Sequence, residues 1–349
     1  MQHYLHILAA ATALAAAPTI SFAQAAADAE TLTVNVETAG TLPTLIPADQ
    51  KNTVAALTLT GSLNGTDILF IREMAGRDKI GNETAGQLAR LDLADANIVA
   101  GGDAYVNVAN NDHGTADNTI SIYMFDKCKL QSIVLPKTIT AIDGAFGNCY
   151  SLTGTFDIPE GVTRLGNYAF EACTQVEHFN VPTTVKTIGT WAFYGCHALK
   201  DFTVPEGVAR VSGSTFYDCD ALAEVTLPST LTYVSGAAFK GCTSLADIHV
   251  HRAAPPTLDW GVFDDDAYEN VTVHVPEGAL AAYREKDGWM DFKNIVEEGA
   301  SAIGSVKADV PTATGGIYTT GGSRVQPKDA RHGLYIVVSG GKAQKIIRK

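Results

Sequence analysis

The chain has 349 residues, of which 46 % are hydrophobic, and its net charge is −13. That hydrophobic fraction is ordinary for a folded protein, so the chain can bury a core. The acidic balance argues against nucleic acid or an anionic lipid surface as the partner, since both would repel it. The charge is uneven: residues 316–349 carry +6, which leaves −19 for everything before them.

The N-terminus has the pattern of a secretory signal. Residues 7–17 form an apolar run that is too short to span a bilayer, and Ser21-Phe22-Ala23 offers a small-x-small cleavage site. We therefore predict a signal peptide over residues 1–23, which implies a secreted or outer-surface protein, with the periplasm as the alternative. A buried N-terminal helix is the other interpretation, because the first six residues contain no Lys or Arg. No later apolar segment is long enough to predict a membrane span.

Residues 24–119 contain weak versions of a repeated unit. Val34-Asn-Val36 and Leu57-Thr-Leu59 alternate apolar and polar residues as half-buried strands do, and helices are predicted near 41–47 and 65–75. We interpret this part as an N-terminal cap with degenerate repeats, because the first coil of a stack must cover an open core.

A loop is predicted between Gly101 and Asn118, where Gly, Asn and Asp are frequent. Its His113 lies beside aspartates, and a solvated loop is favoured over a metal site there.

From residue 120 the repeat becomes regular, with a phrase Phe-x-x-Cys recurring about every 23 residues. Such a fixed period indicates a stack of similar coils in which no single coil is stable alone. The phrases are Phe125-Asp-Lys-Cys128, Phe146-Gly-Asn-Cys149, Phe170-Glu-Ala-Cys173, Phe193-Tyr-Gly-Cys196, Phe216-Tyr-Asp-Cys219 and Phe239-Lys-Gly-Cys242.

After each phrase comes a short alternating strand that ends in proline, as in Leu130 to Pro136. Period-2 alternation places Ile133 and Leu135 inward and the residues beside them outward. The fold predicted for residues 120–276 is therefore an α/β repeat solenoid, a leucine-rich-repeat stack with a parallel β-sheet face.

The six cysteines of the chain all belong to these phrases. Equivalent residues on stacked coils have parallel side chains whose Cβ atoms do not converge as a disulfide requires. No C-x(2–4)-C pair suggests zinc. We therefore predict six free thiols that fill the same notch on each coil.

The repeat ends at Phe263-Asp-Asp-Asp266, where Asp replaces Cys. An exposed end coil is favoured over a calcium loop, because the oxygen spacing of calcium loops is absent. Residues 277–298 are predicted to form a C-terminal cap with a short helix, and residues 299–315 a linker. Residues 316–349 predict a small antiparallel module of three strands with a tight Gly-Gly turn.

The phrase L-x-x-I-x-I-P-x-x-V-x-x-I-G-x-x-A-F-x-x-C, which recurs from Ile120 to Pro276, resembles the BspA-like leucine-rich-repeat family of bacterial surface proteins. Asp287-Gly-Trp-Met-Asp-Phe-Lys-Asn-Ile295 also resembles family members from Bacteroidetes-type bacteria. The tail from Gly316 resembles a C-terminal secretion or sorting domain of exported proteins. This resemblance implies export and adhesion, through binding of a host extracellular or envelope protein, and it implies no enzymatic activity.

The outward residues of the strands are the candidate binding site, because stacked strands make the extended face that solenoids use for binding. This face is polar and partly acidic, so a basic partner patch fits it, with an ordinary solvated sheet face as the alternative. A second candidate is an aromatic edge of Tyr168, Trp191, Tyr194 and Tyr217, although ring packing explains these residues equally well. The predicted face residues are His178, Asn180, Asp201, Thr203, Glu224, Thr226, Asp247 and His249, with His274 beyond them.

Two further function classes are alternatives to binding. A structural envelope protein without a soluble ligand is the alternative to a binding protein. An enzyme is disfavoured, because no nucleophile or Gly-rich phosphate loop accompanies the histidines. His249-Val-His251 has no evident third ligand, so we predict neither a metal nor a cofactor.

Overall fold

The structure of the chain, a computed structural model, describes residues 31–298 and the strands of the tail. The predicted signal peptide and the predicted linker lie outside the described residues. Residues 31–298 and the tail belong to two separate compact units, which are treated one at a time below.

The larger unit is a stack of coils, as the repeat predicts. Each coil contributes one strand, and these strands run parallel to one another. Neighbouring strands pair in register, so that Leu57 lies beside Leu91 and Leu91 beside Ile133. We call the outward side of these strands the strand face. Its strands are Thr31–Val36, Ala56–Leu63, Arg90–Ile98, Ser132–Val134, Thr153–Asp157, Gln175–Asn180, Asp201–Thr203, Glu224–Leu227, Asp247–Val250, Thr272–Val275 and Asn294–Glu297.

A second series of very short parallel strands runs along another side of each coil. From Ala141–Ile142 to Tyr233–Val234 each strand follows the proline of its repeat and carries the second of the two inward residues that the sequence places three apart, as Ile142 follows Ile139. They are Thr119–Ile120, Ala141–Ile142, Arg164–Leu165, Thr187–Ile188, Arg210–Val211, Tyr233–Val234 and Thr257–Leu258.

The phenylalanines of the repeat form a continuous column in the core. Consecutive rings from Phe125 to Phe263 lie 5.3–5.5 Å apart and nearly parallel. Offset stacking of this kind adds about 0.5–1.5 kcal/mol per pair to the free energy of burial. The column therefore couples each coil to the next one.

The cysteines are free and buried, which confirms the prediction of free thiols. Burial raises the pKa of Cys128 to about 11 and that of Cys196 to about 12. Five of the thiols donate to the carbonyl oxygen of a phenylalanine on the preceding coil, with Sγ–O distances of 3.0–3.3 Å. The notch is thus a small hydrogen-bonding link between coils as well as a packing position.

Two helices, Leu42–Leu45 and Gly65–Met74, lie in the N-terminal coils, close to the predicted positions. The second begins with a capping box, because Asn64 accepts from the amide of Thr66 and Asp67 accepts from the amide of Asn64. The buried Asp67 carboxylate also accepts from the amide of Leu42 and so joins the two helices.

Arg72 of the same helix is buried and holds the cap to the first regular coil. Its Nη1 donates to the carbonyl oxygens of Tyr123 and Met124 at 2.7 and 3.1 Å. These two bonds satisfy backbone groups at the point where the degenerate coils meet the regular ones.

The stretch predicted as a loop between Gly101 and Asn118 is a β-hairpin instead, formed by Gly101–Val108 and Asn111–Thr115. The two residues of its turn, Ala109 and Asn110, both have positive φ, which is the geometry of a tight hairpin turn. The prediction was wrong because it relied on the polar residues of the tip and overlooked Tyr105. The Tyr105 side chain is buried, and its hydroxyl donates to the carbonyl oxygen of Ile122.

At the C-terminal end the residues after Phe263 form a short helix, Asp265–Asn270, on which Asp266 is exposed as predicted. A second helix, Leu280–Glu285, follows, and Trp289 is fully buried. The parallel sheet continues one strand further than the repeat pattern predicts, since Asn294–Glu297 pairs with Thr272–Val275.

The smaller unit is an antiparallel sheet, as the tail predicts, but with four strands instead of three. Its order places Arg324–Val325 beside Gly316–Thr319, then Gly333–Ser339, then Lys342–Arg348. The extra strand is Arg324–Val325, which pairs antiparallel with Gly316–Thr319.

Candidate functional site

The predicted face residues form two outward-facing columns, and each column runs across neighbouring strands of the strand face. Asp201, Glu224 and Asp247 are directly in register across three neighbouring strands, and we call them the acid column. Like charges placed directly opposite each other on a sheet are destabilising. The column is therefore an arrangement that folding alone does not favour.

Each carboxylate of the acid column has one histidine beside it. His178 Nδ1 lies 2.8 Å from Asp201 Oδ2, and His274 Nε2 lies 2.7 Å from Asp247 Oδ1. His249 Nε2 lies 3.5 Å from Glu224 Oε1. All six side chains are at least one quarter exposed, so these pairs contribute little to stability, about 0–1 kcal/mol each.

Two of the histidines also contact each other. The rings of His249 and His274 are stacked, with centroids 4.3 Å apart. The other ring nitrogen of His249 lies 2.6 Å from Glu298 Oε1. Glu298 gave no sequence signal, because it follows the last strand and belongs to no repeat position.

The remaining predicted residues complete the second column. Asn180 donates to Asp157 at 2.6 Å, and Thr203 lies in register with Thr226. Thr226 in turn is in register with His249. A shallow depression of about 440 Å³ opens beside Asn180, Asp201 and Thr203, where two groups of strands meet.

The charge of this face is one-sided. The five strands from Asp201–Thr203 to Asn294–Glu297 contain neither Lys nor Arg, so their only basic side chains are His249 and His274. With uncharged imidazoles the acid column presents three negative charges in a row on a broad, regular sheet. Such a surface attracts cationic groups and repels anionic ones.

The aromatic edge lies on the turn side of the coils. Tyr168 and Trp191 meet edge-on at 4.9 Å, and Tyr194 and Tyr217 lie 5.5 Å apart. Trp191 remains 39 % exposed although it packs against both tyrosines beside it. The rings thus support one another, and part of their surface is open to solvent.

A further exposed ring escaped the sequence analysis. Trp260 is 90 % exposed and stands alone on a turn near the C-terminal end. It does not belong to the repeat pattern that located the other aromatic residues, since it occupies a position held by Gly236 on the preceding coil.

Within residues 31–298 no group of three or more His, Cys, Asp or Glu side chains has an arrangement that could hold a metal ion. The same residues include no helix with the length and apolar character needed to cross a membrane.

Residues 118–250 match the family model described as the BspA type leucine rich repeat region, in six copies. No curated protein matches the chain. Similar solved structures include a leucine-rich repeat protein from Bacteroides ovatus, at 18 % identity and a TM-score of 0.36, over 61 % of each chain. The chain therefore spans about 61 % of the length of that protein.

Two more solved structures show a similar degree of likeness. The T. pallidum leucine rich repeat protein has 19 % identity and a TM-score of 0.32, over 49 % of this chain and 84 % of its own. A leucine rich cell surface protein from Faecalibacterium prausnitzii has 14 % identity and a TM-score of 0.27, over 62 % and 82 %. These identities and TM-scores are too low to indicate a function for the chain. The regular coils of the present chain, over residues 118–250, are matched to BspA-type leucine-rich repeats.

Proposed function

We propose that this chain is an exported leucine-rich-repeat protein of the cell surface that binds another protein through its strand face. The observation that carries the proposal is the acid column, three in-register carboxylates that oppose one another on an exposed sheet. Since mutual repulsion makes this arrangement costly for the fold, a partner that neutralises it is the simplest reason for its presence. Adhesion to a host extracellular or envelope protein is the form of binding we propose.

Export belongs to the proposal and rests on the apolar run of residues 7–17 and the cleavage pattern at Ser21-Phe22-Ala23. The tail, residues 316–349, is proposed to be the sorting or anchoring module. A structural envelope protein is the second candidate, and it is favoured by the continuous phenylalanine column, which packs each coil against the next irrespective of any ligand.

Binding is preferred to catalysis on chemical grounds. The thiols are buried and their pKa values are raised by desolvation, as for Cys173 and Cys219, so they are poor nucleophiles. The histidine–carboxylate pairs lie on an open sheet and not in a cleft that excludes water. This is the arrangement of a docking surface.

The test is binding to immobilised extracellular-matrix proteins, with wild type compared with the double variant Asp201→Lys/Glu224→Lys. We expect at least a tenfold loss of affinity, because two attractive charges become repulsive. The matched control is Asp49→Lys/Asp287→Lys, which makes the same change of net charge at exposed positions away from the face.

Two outcomes would contradict binding of a protein through the strand face. Unchanged binding by Asp201→Lys/Glu224→Lys excludes the strand face, and a loss in Trp191→Ala/Tyr217→Ala then assigns binding to the aromatic edge. Absence of any protein partner, in these assays and in a pull-down from host material, favours the structural envelope protein.

A further inference from the structure

The first and last strands of the strand face differ in how their open edges are built. Within residues 31–298, Thr31–Val36 pairs with Ala56–Leu63 and with no other strand. At the other end, Asn294–Glu297 pairs with Thr272–Val275 alone. An open strand edge is a template for pairing with a further strand, and most proteins blunt it with charges, proline, a bulge or a very short strand.

The C-terminal edge has such protection. Its strand has four residues and includes Glu297, and Lys293 and Glu298 flank it. The N-terminal edge has none of it, because Thr31–Val36 has six residues, carries no charge and no proline, and pairs with its neighbour without a bulge. The N-terminal edge is therefore competent to take up another strand.

The core is also left open beside this strand. Leu32 and Val34 pack against the core but are only half-buried, whereas Leu57 and Leu59, their neighbours in register, are 1 % and 0 % exposed. Leu45, on the helix of the same coil, is 44 % exposed. Apolar surface of this kind contributes about 25 cal/mol per Å² when another chain covers it.

The sequence of the strand is complementary to itself. When two copies of it lie antiparallel with Thr33 opposite Thr33, Leu32 lies opposite the partner's Val34, and Thr31 opposite the partner's Asn35. Residues directly opposite one another are on the same face of a sheet, so the inward pairs are apolar and the outward pairs polar. A shift by one residue would place inward residues opposite outward ones.

We propose that two copies of this chain pair through Thr31–Val36 and form a dimer whose twofold axis passes between the two Thr33 residues. The same patch serves both copies, so the interface closes and no filament grows from it. The residues before 316 carry a net charge of −19, so two copies repel each other over most of their surface, and the uncharged edge avoids this repulsion. The strand faces of the two copies then continue into one another, which makes the dimer bivalent for any partner of that face.

The test measures the mass of the mature chain, from Gln24, by sedimentation equilibrium. Wild type should change from one chain to two over about a hundredfold range of concentration, because dimerisation depends on concentration. Thr33→Lys should weaken the dimer by about tenfold or more, since it places two like charges directly opposite each other.

The matched control is Thr58→Lys. Thr58 lies beside Thr33 in register, so the variant adds the same charge to the same face, but on a strand with a neighbour on both sides. It should dimerise as wild type does. Thermal unfolding of both lysine variants verifies that a loss of the dimer does not come from a loss of the fold.

A second variant, Thr33→Cys, locates the contact. Opposite residues of an antiparallel pair have Cα atoms about 4.5–5.5 Å apart, which is within the range of a disulfide. The six native thiols are buried, so mild oxidation should crosslink this variant into a covalent dimer through the new thiol. Thr58→Cys should stay uncrosslinked.

A wild-type chain that stays single at every concentration overturns the proposal, and so does a dimer that Thr33→Lys leaves unchanged. A chain without residues 24–30 that dimerises where wild type does not also overturns it, because that segment then covers the edge in place of a second copy. These results are independent of binding to matrix proteins, which is measured with variants of the acid column.

Discussion

The cysteine at each repeat shows how one residue can serve packing and hydrogen bonding together. Its even spacing predicts a small buried side chain that forms no crosslink, and the structure agrees. The bond from Cys149 Sγ to the carbonyl of Phe125, and its equivalents along the stack, has no sequence signal. Serine would offer the same donor but would carry a more polar group into the core, so the weakly polar thiol suits the position.

The thiols provide a direct test of this interpretation. We expect none of the six to react with a thiol reagent at pH 8 in the native protein, because burial raises their pKa and the thiolate is the reactive form. All six should react once the chain is unfolded without reductant. Unfolding with reductant is the control, and fewer than four free thiols before reduction would contradict the interpretation.

Part of the candidate site could be predicted from the positions of single residues in the sequence. Period-2 alternation places His178, Asp201 and His249 outward, because a strand in a one-sided core must alternate. Which histidine meets which carboxylate depends on side-chain torsions and on the register shift between Val176 and His178, neither of which leaves a trace in a repeat pattern. Glu298 was missed because it lies beyond the repeats.

At the scale of the element, the turn between the short strand and the phenylalanine has an unusual backbone. Tyr168, Trp191, Ser214 and Ala237 occupy the same place on successive coils, and each has a φ between 52° and 59°. In this conformation the amide of Ala237 donates to the carbonyl of Gly261 on the next coil, and the others do likewise. The sequence does not reveal the turn, because Tyr, Trp, Ser and Ala share no property that marks a positive φ.

Glycine substitutions at two adjacent positions of this turn should change the free energy of unfolding in opposite directions. Ala237→Gly should raise the free energy of unfolding by about 0.5 kcal/mol. Glycine relieves the strain of the left-handed conformation, and this gain exceeds the cost of the greater entropy of the unfolded chain. Ala238→Gly should lower it by about 1 kcal/mol or more, because Ala238 is buried and outside the positive-φ region. Urea unfolding of the two variants measures both, and equal destabilisation would show that the turn is not strained.

The hairpin formed by Gly101–Val108 and Asn111–Thr115 is an element that the sequence analysis predicted wrongly, as a loop. Gly, Asn and Asp are frequent there because the tip is exposed, and the same residues are typical of loops. Tyr105 and Val106 supply the only buried face, which is too short to produce a visible alternation. Repeat periodicity predicts the regular coils, but it carries no information about a single insertion such as this hairpin.

For the whole molecule, the continuous phenylalanine column and the in-register strands mean that each coil is stabilised by its two neighbours. The ends then need special residues. The N-terminal end uses the buried Arg72 and two helices, and the C-terminal end uses Trp289 and the helix Leu280–Glu285. Because contacts are between neighbours, damage to one end should spread only a few coils.

Trp289 tests this property of the stack. It is fully buried, packs edge-on against Tyr283 at 5.2 Å, and its Nε1 donates to the carbonyl of Pro256 at 2.7 Å. Trp289→Ala should cost about 3–5 kcal/mol locally, as the loss of a large buried side chain does. We expect faster hydrogen exchange in Thr272–Val275 and Asn294–Glu297.

The strand Ala56–Leu63, at the other end of the stack, should keep its exchange protection in this variant, since it shares no contacts with the C-terminal coils. Met290→Ala is the control, because Met290 is adjacent in sequence but 54 % exposed, and it should leave both ends unchanged. Equal loss of protection at both ends would mean that residues 31–298 unfold as one cooperative unit. The strand face would then have a single stability, and binding at the acid column would protect the N-terminal coils as strongly as the coils that it touches.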